Sequence, residues 1–349
     1  MRRLWSGEEV FEESGMFAGS DRLKLLFPAA KILRVSAHCE DTVYEEGRDF
    51  VHVPGSGELV RPAGSRIPLV PGSVLRPTEN LHLHPHPQAN AIADAVDGGN
   101  LMFCNRNEIA LRQIDVSYVR TGEPFVSGID RQPDRLPRFR ARLAAGAPLR
   151  VTLIGDSISQ GYNATEFVGS APYAPPYMKQ VCAELHRRYR VEAALANRAV
   201  GGTGIQHAER IADQWCADRP DLLVIAYGMN NFSNTPVADF LARLQEIVDR
   251  CGAASPESEF LVATFMTPNP LWKKTPPGPD AVCAQAMRDF VAARGPDTAL
   301  ADVQTVWRRI MERKSFYDLT GNGVNHPNDY GHRIYASTVL EVLTGEAYL

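Results

Sequence analysis

From residue 150 to the C-terminus, short apolar runs alternate with longer stretches of helical spacing. No other feature constrains the fold as much. VTLIG (151–155), VEAALAN (191–197), LLVIAYG (222–228) and FLVATFM (260–266) read as strands, with TALADV (298–303) as a candidate fifth. Helical stretches follow the Pro175-Pro176 pair to about Arg190, then at 205–217, 236–251, 280–294 and from about Asp329 to Leu343. Apolar strands separated by helices predict a parallel sheet covered on both faces. Ligands of such sheets bind beyond the carboxyl ends of the strands, so the residues there carry the functional argument.

The first strand ends in Gly155-Asp156-Ser157-Ile158-Ser159. A serine on that turn holds its hydroxyl at the sheet edge, where helix-start amides can bind an oxyanion. Alone it could equally be a helix cap. The second strand ends in Asn197-Arg198-Ala199-Val200-Gly201-Gly202-Thr203-Gly204, a turn that lets backbone N–H groups approach a ligand. The third ends in Gly228-Met229-Asn230-Asn231, where a side-chain amide could donate to the same oxyanion or make an Asx turn. Asn325-His326-Pro327-Asn328-Asp329 precedes the last helix. A histidine there can act as a general base near neutrality.

Together, in this order, GDSI, the Gly202 turn, GMN and HPND resemble the SGNH (GDSL-type) hydrolases over roughly residues 150–349. The resemblance implies a flavodoxin-like α/β fold and a serine esterase. Ser157 would be the nucleophile, His326 its base, and Ser157, Gly202 and Asn230 the oxyanion donors. Chemistry would run through an acyl-enzyme with no cofactor and no metal. The family's aspartate three residues before the histidine is missing; Gly323 stands there. Asp318 could reach back to His326, or a backbone carbonyl or an asparagine could orient the ring in a Ser–His dyad. Asp329 and Asp302 are weaker candidates, and Asp329 fits better as the cap of the final helix. Asn231 stands where the family often has aspartate.

The first part of the chain has a different pattern. LKLLF, KILRVSA, DFVHV, IPLV, LHLH and IDVSYV lie between turn residues such as Pro54-Gly55-Ser56-Gly57 and Pro71-Gly72. Many short strands at regular spacing predict an all-β sandwich, jelly-roll-like, over residues 1–126. A polar, proline-containing linker at 127–149 would join it to the hydrolase domain at 150–349. A β-rich domain ahead of an SGNH domain resembles two-domain carbohydrate acetylesterases. That implies a short acyl group, acetyl foremost, on a carbohydrate or other small alcohol. Trp272, Phe265, Tyr173 and Tyr177 could line a sugar pocket or simply pack.

Other features mainly exclude. The formal net charge of -4 leaves no basic footprint for nucleic acid. Glu8, Glu9, Glu12 and Glu13 interrupt any signal-like apolar stretch after Arg2-Arg3, and no window reaches membrane-span length, so the expected location is cytoplasmic. Cys39, Cys104, Cys182, Cys216, Cys251 and Cys283 form no CxxC pair and read as reduced thiols. His82, His84 and His86 alternate in LHLHPHP and could face a metal, although Pro85 interrupts the strand. The Asn163-Ala164-Thr165 sequon would matter only in a secreted protein. Rival readings are a carbohydrate-binding protein that has lost activity and an acyltransferase using the same site. The sequence leaves the oligomeric state open.

Overall fold

The computed structural model describes residues 4–5, 7–78, 92–104, 106–123, 125–274 and 278–349. His82, His84 and His86, and the LHLH strand expected there, lie outside the described residues.

Five parallel strands form the central sheet: β4 (Leu149–Gly155), β5 (Ala193–Asn197), β6 (Leu222–Ala226), β7 (Glu259–Ala263) and β8 (Thr298–Ala301), in the order β5-β4-β6-β7-β8. The chain leaves β4 first to one side and then to the other, which opens a crevice at its carboxyl end. β4, β6 and β7 are almost wholly buried, as expected of apolar runs covered on both faces. The covering helices include α1 (Ser157–Gln160), α2 (Tyr177–Tyr189), α3 (Val237–Ala254), α4 (Pro279–Ala292), α5 (Val303–Met311) and α6 (Asp329–Thr344). The stretch expected as one helix at 205–217 is two short ones, Gln206–Arg210 and Ala212–Ala217. Helix α5 was not expected, although it buries Val303, Val306, Trp307 and Ile310 along one face.

The region before residue 121 is β-rich, built from small sheets. β1 (Glu9–Gly15), β2 (Ala29–Ala37) and β3 (Ile114–Arg120) form an antiparallel sheet with β3 in the middle. Arg22–Lys24, Glu58–Val60 and Val51–His52 form another. Phe17–Ala18 pairs with Leu69–Val70, and Ile92–Asp94 with Asn100–Met102. β1 was not expected, because its glutamates break the apolar pattern. Glu13 is nevertheless fully buried: it accepts from the Leu26 amide at 2.9 Å, Tyr118 Oη at 2.6 Å and Lys314 Nζ at 2.7 Å. A carboxylate can be buried when it is paired and hydrogen-bonded in this way.

The segment 127–149 carries a helix, Pro137–Ala144, whose Phe139 and Leu143 are buried. Arg135, Arg138 and Arg140 of this segment donate to carbonyls of residues 257–258, 294–298 and 342. One hydrophobic core runs from Trp5, Val10 and Phe27 through β4, β6 and β7 to Leu349. All six cysteines are free. Among the described residues no helix is long and apolar enough to cross a membrane.

Candidate active site

Ser157 is the first residue of α1, directly beyond β4. Asp156 caps the helix by accepting the Ile158 amide at 3.0 Å, which sets the turn. Burial pushes the Asp156 carboxyl up to about 7. A side chain at Gly155 would lie 2.6 Å from Ser159 Oγ and 2.7 Å from the Ala226 carbonyl, so glycine alone fits where β4 runs into the turn.

His326 approaches from the loop before α6. Its Nε2 lies 2.8 Å from Ser157 Oγ. The loop is fixed by Asn322, whose Oδ1 accepts from the amides of Val324, Asn325 and His326, each at 2.9 Å. Nδ1 of His326 lies 2.9 Å from Oδ1 of Asn163. The Asn163 amide nitrogen donates to the carbonyls of Arg106 at 2.9 Å and Gly321 at 3.1 Å. Two carbonyl acceptors on one side require the NH₂ there, so the oxygen must face the histidine. It accepts a hydrogen bond from Nδ1–H and leaves Nε2 as the acceptor for the serine hydroxyl. Asn163 adopts a left-handed backbone, φ 61°, which asparagine tolerates better than most residues.

The group bonded to the far side of the His326 ring is therefore a neutral amide. Burial lowers the pKa of His326 to about 3, and neighbouring His332 adds to the shift. The structure does not bring Asp318 to His326. Asp318 accepts from the amides of Met16 at 2.8 Å and Ser315 at 2.7 Å and lies 3.8 Å from Lys314 Nζ. Its carboxylate belongs to the buried Glu13–Lys314 cluster. Asp302 caps α5 and pairs with Arg288 at 2.8 Å. Asp329 begins α6, but the cap is Asn328, which accepts the Gly331 amide at 2.8 Å. Gly323, in the place of the family's aspartate, has φ 78°, and a Cβ there would meet the Met102 carbonyl at 2.8 Å. That position has no room for an acid.

Gly202 and Asn230 sit on the turns after β5 and β6. The Gly201 amide donates to Gln160 Oε1 at 2.6 Å, which ties the first turn to α1. Asn230 Nδ2 donates one proton to the Thr203 carbonyl at 2.9 Å, fixing its amide plane. Asn231 Oδ1 accepts the Ile205 amide at 2.9 Å and joins the two turns. The aromatic candidates divide. Tyr177 is buried with its hydroxyl 2.9 Å from Ser159 Oγ, and Phe265 is buried against Phe232. Tyr173 is exposed and Trp272 half-buried. Tyr162, not singled out in the sequence, packs 5.2 Å from the His326 ring and 4.8 Å from the exposed Phe167. In the sequence Asn163 stands out only as part of the Asn163-Ala164-Thr165 sequon. Nothing local in the sequence marks it, since its role depends on carbonyls 57 and 158 positions away. Among the described residues no His/Cys/Asp/Glu cluster could hold a metal.

Ser157, on the turn after a parallel strand, is thus hydrogen-bonded to a histidine from the loop before the last helix. Residues 153–334, just over half the chain, match the GDSL-like lipase/acylhydrolase family, and the chain belongs to it. No curated protein matches the chain. Similar solved structures include an acetylxylan esterase from Geobacillus stearothermophilus, at 15% identity over 58% of this chain and 96% of that one, TM-score 0.48. A two-domain esterase active on acetylated mannans aligns at 20% identity over 60% of this chain and 53% of that one, TM-score 0.46. A member of the lipolytic G-D-S-L family from Veillonella parvula aligns at 16% identity over 56% and 98%, TM-score 0.44.

Proposed function

We propose that this chain is a carboxylic ester hydrolase that removes a short acyl group, acetyl foremost, from a carbohydrate or other small alcohol. The observation that carries the reading is the 2.8 Å contact between Ser157 Oγ and His326 Nε2, with Nδ1 bonded on its far side. In the proposed reaction His326 takes the hydroxyl proton as Oγ bonds to the ester carbonyl carbon. The oxyanion is received by the amides of Ser157 and Gly202 and by Asn230 Nδ2. His326 then passes its proton to the departing alcohol oxygen as the ester C–O bond breaks. Water, deprotonated by the same nitrogen, releases the acid and restores Ser157. Asn163 holds the ring in the required tautomer throughout. The Tyr162–Phe167 pair beside His326 offers an aromatic face to the alcohol, and such faces suit the apolar side of a sugar ring. No cofactor enters the scheme.

The test is an acyl-chain series of p-nitrophenyl esters together with acetate release from an acetylated oligosaccharide. Expected are kcat/KM values highest for acetate and falling with chain length, and acetate release from the sugar. A preference for long chains would overturn the acetyl assignment. Hydrolysis of p-nitrophenyl acetate without release from any sugar would overturn the carbohydrate assignment.

A further inference from the structure

Two of the contacts between the β-rich region and the segments around His326 bear on its orientation. One is the Arg106 carbonyl on Asn163. The other is a partly buried carboxylate–imidazole–carboxylate chain. His38 follows β2 directly, and its backbone amide donates to the Gln113 carbonyl at 3.1 Å. Its Nδ1 lies 3.0 Å from the carboxylate of Asp115 on β3, and its Nε2 lies 2.9 Å from Oδ2 of Asp329 in the first turn of α6. The Asp329 carboxylate also accepts the Thr165 amide at 2.8 Å and the Thr165 hydroxyl at 2.6 Å. Thr165 is two residues beyond Asn163, and Asp329 is three beyond His326. One carboxylate thus ties the segment carrying the orienting amide to the segment carrying the base, and His38 holds that carboxylate from behind.

We propose that His38, clamped between Asp115 and Asp329, is a positioning residue for His326, acting through Asp329 and Thr165 on the turn that carries Asn163. The inference rests on the esterase reading of Ser157, His326 and Asn163. An imidazole between two carboxylates satisfies both only when both ring nitrogens carry protons. Burial opposes that charge, but Asp115 and Asp329 outweigh it and hold the His38 pKa well above its usual value. The other titratable group beside it is Cys39, whose thiol burial keeps protonated. When His38 loses its proton, one ring nitrogen turns a lone pair toward a carboxylate and the clamp loosens. Activity then falls on the alkaline side through a group that never touches the substrate.

The experiment measures hydrolysis of p-nitrophenyl acetate against pH for the wild type, His38→Gln and Asp115→Asn. Rates are expressed per active site, titrated as the fraction of Ser157 phosphonylated by an alkyl fluorophosphonate. Expected for His38→Gln is a kcat per site lower by about tenfold or more, KM within about threefold, and loss of the wild-type alkaline limb. Expected for Asp115→Asn is an alkaline limb moved to lower pH, because one of the two charges that raise the pKa is gone. A structural role alone would reduce the titratable fraction and leave kcat per site and the limb unchanged; that result overturns the proposal. If His38→Gln does not fold, the limb of Asp115→Asn decides. A wild type that is hydrolytic through Ser157, with both variants overlaying it, refutes the clamp alone. A wild type neither hydrolytic nor phosphonylated at Ser157 refutes the esterase reading, and the clamp with it.

Discussion

The β-rich region and the parallel-sheet region bury polar groups for different ends. In the parallel-sheet region the segments that follow β4, β5 and β6 are tied to one another: the Gly201 amide bonds Gln160, Asn230 bonds the Thr203 carbonyl and Asn231 bonds the Ile205 amide. In the β-rich region several buried polar groups reach out of their own sheets to residues 314–328, the stretch that leads to His326 and α6. Ser14 bonds Asn328, the Met16 amide bonds Asp318, Glu13 bonds Lys314, and Gln113 bonds the carbonyls of Tyr317 and Thr320. The parallel-sheet region holds the hydrogen-bonded Ser157 and His326, and the β-rich region braces the segment that carries His326. This division explains why Asp318 cannot orient His326: it belongs to the brace.

That contrast can be broken in stages. His326→Ala removes the base itself, and kcat for p-nitrophenyl acetate is expected to fall by about 10³-fold or more, with the thermal midpoint nearly unchanged. Asn163→Asp is the sharper test. A carboxylate there would face the Arg106 and Gly321 carbonyls that now accept its amide protons. The change is therefore expected to cost about 10²-fold in kcat and also to lower the melting temperature, rather than to restore a conventional triad. A gain in activity would show that the two carbonyls do not determine the choice of amide. Asp318→Asn acts on the brace. It is expected to destabilise the fold by about 1–3 kcal/mol in denaturant titration while kcat of the folded protein stays within about threefold.

The smallest effect is in pH dependence. Burial lowers the pKa of His326 to about 3, so the base stays neutral well below its ordinary value. The acid limb of kcat/KM is then expected below about pH 5 rather than near 6.5. The same depression has a stability cost of defined sign. His326 and His332, lowered to about 3 and about 4, bind protons more readily unfolded, so their contribution to stability is lost as pH falls from about 6.5 toward those values. Asp156, raised to about 7, works in the opposite direction, taking up a proton on folding below that value.

The parallel-sheet region was largely legible in the sequence because its signals are local. A buried parallel strand is a continuous apolar run, and a turn residue directly after it has only one place to go. Ser157, Gly202 and Asn230 follow such strands and could be singled out on that basis, and His326 as a histidine just ahead of the last helix. β1, Asn163 and His38 were not legible. Glu13 reads as solvent-facing until Lys314 is placed beside it, 301 positions away. His38 meets Asp329 across 291 positions, and Asn163 meets His326 across 163. α5 is the exception, since its apolar face of Val303, Val306, Trp307 and Ile310 is present in local spacing.

The most direct test of the central claim is the rate of p-nitrophenyl acetate hydrolysis by the wild type and by Ser157→Ala, each confirmed folded. Hydrolysis by the wild type that drops to background in Ser157→Ala is the expected result. Equal rates in the two proteins, or no hydrolysis by either, would contradict it.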